Sequence, residues 1–533
     1  MTTAARFKVF PNLYKDSVTL MQLAAALRSR EGIAEASCIM ATPANLAQLA
    51  DVGLATDVAV APSDLLVVVR GDPSASDEAV AAAGTMLQSS LAAGGGDAVA
   101  FRLPLSSIAL GLRRVKAADI ALISVPGDYA AGEALKALAQ GLNVMLFSDN
   151  VAIADEQAIK QYARERDLLV MGPDCGTAIV NGIPLGFANV LRRGDIGLVA
   201  ASGTGLQEVT CRIHNAGGGV SQAIGTGGRD LKDAIGGITM LQGLAALAAD
   251  PATRVIVLIS KPPSPDIAHK ILALAKEAGK PVVVHFLGAP LETARSHGLM
   301  GAESLQHAGD VAVALAAGSA VPASAGSPSA SQLAAIEDAA ARMSPSQYAV
   351  RGLFTGGTFC YEAQLAFRAH GFECRSNAPA DGVELLEKAD ERHAKGHVFI
   401  DMGDDDYTRG RPHPMIDPSL RNAAVLSNAA NPATAAILVD VVLGYGSHPD
   451  PAQGLADALV AAQSEARAQG RSLAVVGHVC GTDGDPQDRT AQIRKLEAAG
   501  AIVAESNVQA ALLCAMLAER LGARAGNAGG GTR

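Results

Sequence analysis

The chain has 533 residues, of which 49% are hydrophobic and 3% aromatic, with 56 glycines, no tryptophan and a formal net charge of −10 at pH 7. This length predicts about three or four domains, and the composition is typical of α/β layers packed with small aliphatic side chains, not of an all-β sandwich. The acidic balance, without any block of lysine or arginine, argues against a nucleic-acid-binding protein and against binding to an anionic membrane surface.

Seven cysteines are scattered along the chain without a C-x-x-C pair. This usage indicates reduced thiols in the cytoplasm, and neither a disulfide framework nor a zinc site. Residues 1–9 lack the apolar core of a signal peptide, and no segment approaches the roughly 18 apolar residues that a membrane span requires. We therefore expect a soluble cytoplasmic protein.

Apolar runs recur at helix-length intervals over the first third of the chain. The runs lie at residues 65–69, 120–125, 144–147 and 168–171. Strands that are apolar on both faces and separated by helices indicate a parallel, doubly wound sheet, which predicts a Rossmann-like α/β domain over residues 1–193. The G-x-G-x-x-G fingerprint is missing after these runs, so this topology does not imply NAD.

Two later segments repeat the alternation of strands and helices. Residues 194–318 and 347–523 each open on a strand, a glycine-rich turn and a helix. This repetition suggests a pseudo-twofold pair of α/β domains with both helix N-termini directed at one site. Residues 319–346 are dense in Ala, Ser, Gly and Pro and predict a linker with a short helix inside, and the glycine-rich residues 524–533 predict a frayed tail.

The two glycine-rich turns are the strongest candidates for an anion site. They comprise Ser202, Gly203, Thr204 and Gly205 in the first copy and Thr355, Gly356, Gly357 and Thr358 in the second. The exposed N–H groups of a helix's first turn, the positive end of its dipole and the neighbouring hydroxyl groups together favour phosphate. One such turn is more often only a tight connection, but two copies, each followed by a glutamate at Glu208 or Glu362, favour a phosphate-binding site.

A third glycine-rich loop, at residues 225–230, contains Arg229 and Asp230. The guanidinium group of Arg229 could bind an anion, and Asp230 could cap the helix that follows. An internal ion pair between the two side chains, which would stiffen the turn, explains these residues equally well.

A charged loop at residues 401–418 combines acids, arginines, a histidine and prolines. Prolines lower the entropy that a loop loses on ordering, as a preorganised site requires. Arg409 and Arg411 could hold a carboxylate or phosphate by paired hydrogen bonds, and His413 is a candidate for proton transfer near neutral pH. We predict a catalytic role for these three residues.

The acids of this loop, Asp404 and Asp405, could hold Mg²⁺ through water. For the acids alone, a solvated loop whose charges neutralise one another is the favoured interpretation, and the sequence predicts no metal site. The isolated His285, His297 and His307 are interpreted as structural.

Several motifs resemble those of succinyl-CoA synthetase. Residues 170–176 (Val-Met-Gly-Pro-Asp-Cys-Gly), 197–205, 223–230 and 250–258 resemble its α subunit, while residues 355–358 and 473–508 resemble the C-terminal domain of its β subunit. Together with residues 407–418, the whole chain resembles the FdrA proteins, a fused relative of those subunits. The resemblance implies a Rossmann-like CoA-binding-type domain followed by two flavodoxin-like domains.

The chain departs from the synthetases at their phosphate carrier. Their phosphohistidine lies in Gly-His-Ala-Gly, whereas residues 296–301 read Ser-His-Gly-Leu-Met-Gly, and residues 261–263 read Lys-Pro-Pro where the family has Glu-x-Gly-Gly. The glycine loop that holds CoA is replaced by residues 11–17, and no ATP-grasp segment separates the domains. A pocket that keeps the paired anion turns without the histidine carrier should bind a phosphate that is already attached to the substrate.

The FdrA resemblance implies the large subunit of an oxamate carbamoyltransferase of allantoin and purine breakdown, acting with two further subunits. Carbamoyl phosphate and oxamate would give phosphate and oxalurate. In this hypothesis the two glycine turns hold the phosphoryl group, Arg409 or Arg411 binds the oxamate carboxylate, and His413 manages the proton on its amide nitrogen. The rival hypotheses are an acyl-CoA synthetase that uses CoA, ATP and Mg²⁺, and a scaffold without catalysis; a homodimer is compatible with each.

Overall fold

The computed structural model describes residues 5–54, 58–92, 105, 107–115, 117–388, 391, 394–409 and 411–529. The chain divides into two compact units. Unit 1 comprises Met1–Asp174 with Asp405–Asp417, and unit 2 comprises Cys175–Asp404 with Pro418–Arg533. Among the helices of the described residues, none combines the length and the apolar character that crossing a bilayer requires.

The first sheet of unit 1 is antiparallel and has the strand order β1-β3-β2. Its elements are β1 (Arg6–Phe10), α1 (Ser17–Arg28), β2 (Ile33–Met40), α2 (Pro43–Asp51), β3 (Leu65–Gly71) and α3 (Pro73–Ala92). Alternate residues of β3 face opposite sides of the sheet. Val67 packs in a core with α1 and α3, whereas Val68 packs in a second core that includes Leu49 of α2. The central strand is therefore apolar on both faces although its sheet is antiparallel.

The second sheet of unit 1 is parallel, with the order β4-β5-β6. Its elements are α4 (Ile108–Arg114), β4 (Ile120–Ile123), α5 (Gly127–Ala139), β5 (Asn143–Leu146), α6 (Ile153–Arg164) and β6 (Val170–Met171). The predicted Rossmann-like pattern is present here. The prediction of one such domain over residues 1–193 is wrong in extent, because this range holds two separate sheets and also strands of a third.

The first sheet of unit 2 has seven strands in the order β13-β12-β11-β9-β10-β7-β8. Its elements are β7 (Thr177–Val180), β8 (Ile183–Gly186), β9 (Arg193–Ala201), α7 (Gly203–Asn215), β10 (Val220–Gly225), α8 (Ile238–Ala249), β11 (Val255–Ser260), α9 (Pro265–Lys276), β12 (Val282–Phe286), α10 (Glu292–Arg295), β13 (Met300–Gly301) and α11 (Leu305–Ala317). Strand β7 pairs antiparallel with β8 and β10, and the other neighbours are parallel. This domain therefore begins before the predicted boundary at residue 194.

The second sheet of unit 2 has seven parallel strands in the order β16-β15-β17-β14-β18-β19-β20. The elements from the linker onward are α12 (Ala330–Arg342), β14 (Ala349–Phe354), α13 (Gly357–Ala369), β15 (Cys374–Ser376), β16 (Glu384–Leu385), β17 (His397–Asp401), α14 (Asp405–Thr408), α15 (Ser419–Ala429), β18 (Thr434–Val442), α16 (Pro451–Ala468), β19 (Ala474–Cys480), α17 (Arg489–Ala498), β20 (Ile502–Ala504) and α18 (Asn507–Gly529). Helix α14 belongs to unit 1, so the prediction that the charged loop is part of the 347–523 domain is wrong for residues 405–417.

Both ends of the last domain were predicted as irregular segments. The linker 319–346 does contain a short helix, α12, which begins with a capping box formed by Ser329 and Gln332. The predicted frayed tail at 524–533 is wrong as far as Gly529, because α18 continues to that residue. Residues 530–533 lie outside the described residues.

The two sheets of unit 2 share one plan, and the α/β fold class is confirmed. Strands β9 and β14 are each the fourth of seven strands in their sheets. Each leads through a glycine-rich turn into a helix of 13 residues, α7 or α13. In parallel sheets the carboxyl ends of the strands are where ligands bind, so the turns after β9 and β14 occupy the expected position for a site.

Candidate functional site

The turn before α7 is capped by its own serine. Ser202 is the N-cap residue, and its hydroxyl accepts a hydrogen bond from the N–H of Gly205 at 3.0 Å. A Cβ atom on Gly205 would lie 2.5 Å from Ser202 Oγ, so only glycine fits at this position. Ser202 is half-buried, Gly203 is exposed and Thr204 is buried. The turn therefore reaches solvent at Ser202 and Gly203.

The turn before α13 is held by a carboxylate from the neighbouring strand β18. Asp440 accepts hydrogen bonds from the Thr355 N–H at 2.7 Å, the Thr355 hydroxyl at 2.9 Å and the Gly356 N–H at 2.8 Å. These donors already have an anionic partner inside the protein. The prediction that Thr355 and Gly356 bind the phosphate is therefore corrected: their role is to anchor the turn, and Gly357 and Thr358 are left as candidates.

The structure brings the two turns into direct contact within unit 2. Ser202 Oγ lies 2.6 Å from Thr358 Oγ1, a hydrogen bond in which either hydroxyl can donate. A Cβ atom on Gly356 would lie 2.9 Å from Cγ2 of Thr204, so the helix ends approach each other closely because the turn has no side chain there. The N-termini of α7 and α13 thus meet at one point.

Four backbone amides at this junction have no internal partner. Within the described parts of the chain, the N–H groups of Gly203, Thr204, Gly357 and Thr358 donate to no acceptor. First-turn amides carry the positive end of a helix dipole, and here two from each helix converge. The junction of α7 and α13 can therefore accept the oxygens of a small anion.

Two further charged residues flank the α13 side of the junction, and neither was predicted as a site residue. Asp401 is the last residue of strand β17. Its carboxylate lies directly beside Gly357, where a Cβ atom would collide with it. Lys261 follows β11, is exposed, and its ammonium lies 5.3 Å from the centre of the Tyr361 ring in the first turns of α13. Burial raises the pKa of Asp401 to about 6, although the positive charge of Lys261 opposes this shift.

The loop after β10 has a different role for each of its charged residues. Asp230 is fully buried and accepts the N–H groups of Thr239 and Met240 at 3.1 and 2.9 Å, so it caps the first turn of α8 as the sequence indicated. Arg229 is half-buried in the turn. Its predicted binding of an anion stays a prediction.

The arginines of the charged loop belong to unit 1. Arg411 forms an ion pair with Glu35 at 2.9 Å, and Glu35 also pairs with Arg70 at 2.5 Å. The guanidinium of Arg411 is therefore engaged inside unit 1, which argues against its predicted role as a carboxylate clamp. Arg409 is exposed, and its predicted role stays a prediction.

His413 does not have the properties of a proton carrier at neutral pH. Its Nδ1 atom accepts a hydrogen bond from the N–H of Met415 at 3.2 Å. The surrounding protein desolvates the ring and lowers the pKa of His413 to about 4. A pKa this low disfavours proton transfer near neutral pH, and the predicted catalytic role of His413 stays a prediction.

Three protein-family models match separate parts of the chain. A model of the AllF, heavy metal-associated domain matches residues 1–100, a CoA binding domain matches 192–288, and a CoA-ligase domain matches 353–517. The CoA-binding-type domain expected at 1–193 is therefore matched later in the chain. The CoA-ligase match begins within β14 and includes the second glycine turn, and the CoA-binding match includes the first.

Among curated proteins, YahF of Escherichia coli (strain K12), described as an uncharacterized protein, is 42% identical over 512 residues, or 96% of this chain and 98% of YahF. The chain belongs to the YahF family. The α subunit of the succinate–CoA ligase of Aquifex aeolicus is 27% identical to it over 191 residues, which cover 35% of this chain and 61% of that subunit. The YahF family is thus related to the CoA ligases through one part of its sequence.

Among solved structures, the dinucleotide-forming acetyl-coenzyme A synthetase 1 of Ca. Korarchaeum cryptofilum is similar, with 16% identity and a TM-score of 0.31 over 77% of this chain and 85% of that chain.

The description of the family model that matches residues 1–100 suggests a bound heavy metal in this YahF-family chain. Residues 1–100 contain no histidine and one cysteine, the buried Cys38. Soft metal ions need several thiolate or imidazole ligands, so these residues do not fit such an ion.

Proposed function

We propose that unit 2 binds an acyl phosphate at the junction of α7 and α13 and transfers its acyl group to a nucleophilic acceptor. The observation that carries the proposal is the contact between Ser202 and Thr358, which joins two helix N-termini whose first two amides donate to no acceptor among the described residues. Both hypotheses from the sequence, carbamoyl transfer and CoA ligation, share this chemistry, because each uses a carbonyl group activated by a phosphate.

The amides of Gly203, Thr204, Gly357 and Thr358 would hold the phosphoryl oxygens. Such preorganised donors stabilise the charge that grows on the phosphate as the carbon–oxygen bond breaks. The ammonium of Lys261 would add a positive charge near α13, where two carboxylates weaken the field of the helix. Acyl transfer of this kind requires positioning and charge stabilisation and no nucleophile from the protein.

Asp401 would accept the proton that the acceptor loses. A carboxylate with a pKa of about 6 is ionised at neutral pH and is a stronger base than an ordinary aspartate. The acceptor nitrogen or sulfur would form a bond to the acyl carbon, the phosphate would leave with the electron pair of the broken carbon–oxygen bond, and the proton would pass to Asp401. This role replaces the one predicted for His413.

Carbamoyl phosphate is the acyl phosphate that we propose first, with oxamate as the acceptor and oxalurate and phosphate as products. The support is the resemblance to the FdrA proteins and the lack of the Gly-His-Ala-Gly motif that would carry a phosphate from ATP. In this proposal two further subunits complete the carbamoyltransferase. The family models favour CoA as a second candidate acceptor.

Residues 11–17 do not fit the CoA loop of the synthetases. The N-cap of α1 is Asp16, whose carboxylate accepts the Thr19 N–H at 2.9 Å. An anionic cap at this helix N-terminus would repel the phosphates of CoA, so we derive no step through CoA at this position.

Titration calorimetry of the full chain with carbamoyl phosphate, acetyl phosphate and inorganic phosphate tests the proposal. We expect both acyl phosphates to bind, and Lys261→Met to weaken this binding about 10-fold or more because a charged contact is lost. Lys270→Met, an exposed lysine on α9, is the matched control and should change nothing. Unchanged binding in Gly203→Asp, which places a carboxylate at the exposed end of the α7 turn where a Cβ atom meets nothing closer than 3.7 Å, would rule out the junction as the site.

The acceptor is tested by assay with the co-purified partner subunits. If the assembled complex phosphorolyses oxalurate and Asp401→Asn abolishes this activity, carbamoyl transfer is supported. Stoichiometric transfer of ³²P from ATP onto a histidine of the chain would instead support the CoA ligase and exclude the carbamoyltransferase.

A further inference from the structure

A surface pocket of unit 2 lies away from the junction of α7 and α13. Its volume is about 170 Å³, and it is lined by the β7–β8 hairpin, the segment that leads into β9, the start of β10 and the loop that follows β18. The junction follows the other end of β9, a strand of nine residues that spans roughly 25–30 Å. The pocket is therefore distinct from the site proposed for acyl phosphates.

Hydrogen bonds between the two domains of unit 2 fix the walls of this pocket in place. The side-chain amide of Asn189 and the N–H of Val190 both donate to the buried carboxylate of Asp485, at 2.8 and 2.7 Å. The N–H of Tyr445, in the loop after β18, donates to the carbonyl of Ala188 at 2.9 Å. Because these contacts exist before any ligand enters, binding would require little ordering of the protein.

Two arginines give the pocket a positive charge. Nη1 of Arg192 donates to the carbonyls of His214 and Gly218 at 2.9 and 2.8 Å, which holds its charge at the wall. The side chain of Arg193 crosses the β7–β8 turn, where a Cβ atom on Gly182 would lie 3.2 Å from its Cδ. None of the described residues that line the pocket is acidic, so this charge is not neutralised there.

Arg193 and Tyr445 each bring an unused polar group to the pocket. Over the described ranges of the chain, the guanidinium of Arg193 and the hydroxyl of Tyr445 take part in no hydrogen bond or ion pair, and both side chains are exposed. Ile179, Pro184 and Val220 supply apolar walls beside them. A guanidinium group binds a planar carboxylate through two parallel hydrogen bonds, and apolar walls favour a ligand with a hydrocarbon part.

We propose that this pocket binds a small organic carboxylate, with its charged group on Arg193 and Tyr445 and its apolar part against the walls. A volume of about 170 Å³ equals that of about five or six water molecules, which limits the ligand to roughly six to eight non-hydrogen atoms. Inorganic phosphate would leave the apolar walls uncovered. The inference is independent of the proposed acyl transfer and stands if that proposal fails.

Protection of Arg193 from phenylglyoxal, which modifies guanidinium groups, tests the site on the full chain. Butyrate is the probe, its Kd is measured by titration calorimetry, and mass spectrometry follows modification at each arginine. At about ten times its Kd, butyrate should slow the reaction of Arg193 about 10-fold. Arg295 on α10 is the internal control, because it is likewise exposed and unpaired within the described structure, and its rate should not change.

Two further probes separate charge from shape. Butyramide has nearly the shape of butyrate without its charge, and inorganic phosphate has charge without an apolar part. Neither should protect Arg193, and protection by either that equals that of butyrate would contradict the ligand class. Modification of Arg193 at the same rate with and without millimolar butyrate would overturn the proposal and leave the pocket as a solvated groove.

Calorimetric titration of variants with butyrate gives the second measurement. Arg193→Met should weaken binding about 10-fold or more, and Tyr445→Phe, which removes only a hydroxyl, about 2–10-fold. Arg295→Met is the matched control and should bind as the wild type does. Gly203→Asp blocks the junction and should also leave butyrate binding unchanged. Loss of binding in Gly203→Asp would place butyrate at the junction and would overturn the separate pocket.

Discussion

The two glycine turns of unit 2 occupy equivalent positions, yet they are stabilised in different ways. Ser202 and Gly356 are the N-cap residues of α7 and α13, Thr204 and Thr358 are the second residues of these helices, and a glutamate is the sixth residue of each. In the first turn, the N–H of Gly205 donates to the hydroxyl of Ser202, the N-cap residue of the same helix. The second has glycine at the cap and relies on Asp440, a side chain from another strand. One turn is thus capped locally at the third residue of its helix, and the other is anchored by a tertiary contact to the two residues that precede its helix.

This difference makes the electrostatic environment of the junction asymmetric. The α7 turn has a neutral cap, whereas the α13 turn has the carboxylates of Asp440 and Asp401 beside it. Negative charge at a helix N-terminus reduces its attraction for an anion. A bound phosphoryl group should therefore lie closer to the amides of α7, with Lys261 compensating on the other side.

The largest expected effect comes from removing the tertiary support. Asp440→Ala would leave three donors without an acceptor and would leave the buried guanidinium of Arg421, 3.8 Å from the carboxylate, without its counter-ion. We expect a loss of about 3–5 kcal/mol in the free energy of unfolding of unit 2. Ser202→Ala removes the local cap and the hydrogen bond to Thr358, and it should cost about 1–2 kcal/mol.

Urea denaturation of both variants, followed by circular dichroism, measures this contrast. Asp440→Asn is the control, because it keeps an acceptor oxygen and the size of the side chain while removing the charge, and it should fall between the other two. Equal losses for Asp440→Ala and Ser202→Ala would show that the two turns are held with equal strength.

The next-largest expected effect concerns the glutamates at the sixth position of α7 and α13, whose contributions to stability depend on pH in different ways. Burial raises the pKa of Glu362 to about 7 and outweighs the hydrogen bonds from Asn507 and Leu305 and the charge of His478, which all act to lower it. For Glu208, burial also acts to raise the pKa, but the neighbouring His478 outweighs it and the net shift is downward. Folded wild-type protein therefore binds a proton at Glu362 that the unfolded chain has released between about pH 4.5 and 7.

The contribution of Glu362 to the free energy of unfolding of the wild type is thus present at low pH and is lost as the pH rises through 7. As the pH rises through this window, the free energy of unfolding of Glu362→Gln should increase by roughly 3 kcal/mol relative to that of the wild type. The difference should level off above pH 7. Glu208→Gln should instead lose stability throughout the range from pH 5 to 8, because the lowered pKa of Glu208 places its own titration below about pH 4.5. Denaturation curves of the three proteins from pH 5 to 8 measure both effects, and a flat difference for Glu362→Gln would contradict the first.

The sequence predicted the glycine turns because their signal is local. A strand, a small-residue turn and a helix are contiguous, and the two copies could be recognised without knowing their neighbours. The residues that complete the site come from distant strands: Asp440 is 85 residues from Thr355, Lys261 follows β11, and Asp401 is the last residue of β17. No periodicity connects such residues, so the sequence could not assign them.

The incorrect predictions have the same origin. The run at residues 65–69 is apolar on both faces, which favours a parallel sheet, but helices cover both faces of an antiparallel one instead. Arg411 suggested an anion clamp until Glu35, 376 residues earlier, was found beside it.

The smallest effect tests whether the two turns act as one site. Ser202→Ala and Thr358→Val each remove one hydroxyl of the 2.6 Å pair, and a double-mutant cycle should give a coupling energy of about 0.5–1.5 kcal/mol. The control cycle pairs Ser202→Ala with Thr210→Val, whose hydroxyl bonds to carbonyl groups within α7, and should give coupling near zero. If a phosphoryl group binds as proposed, the hydroxyls will turn toward it, and saturating acyl phosphate should reduce the first coupling to the level of the control. Coupling that persists with the ligand bound would mean that the ligand lies elsewhere and that this hydrogen bond serves only to join the helices.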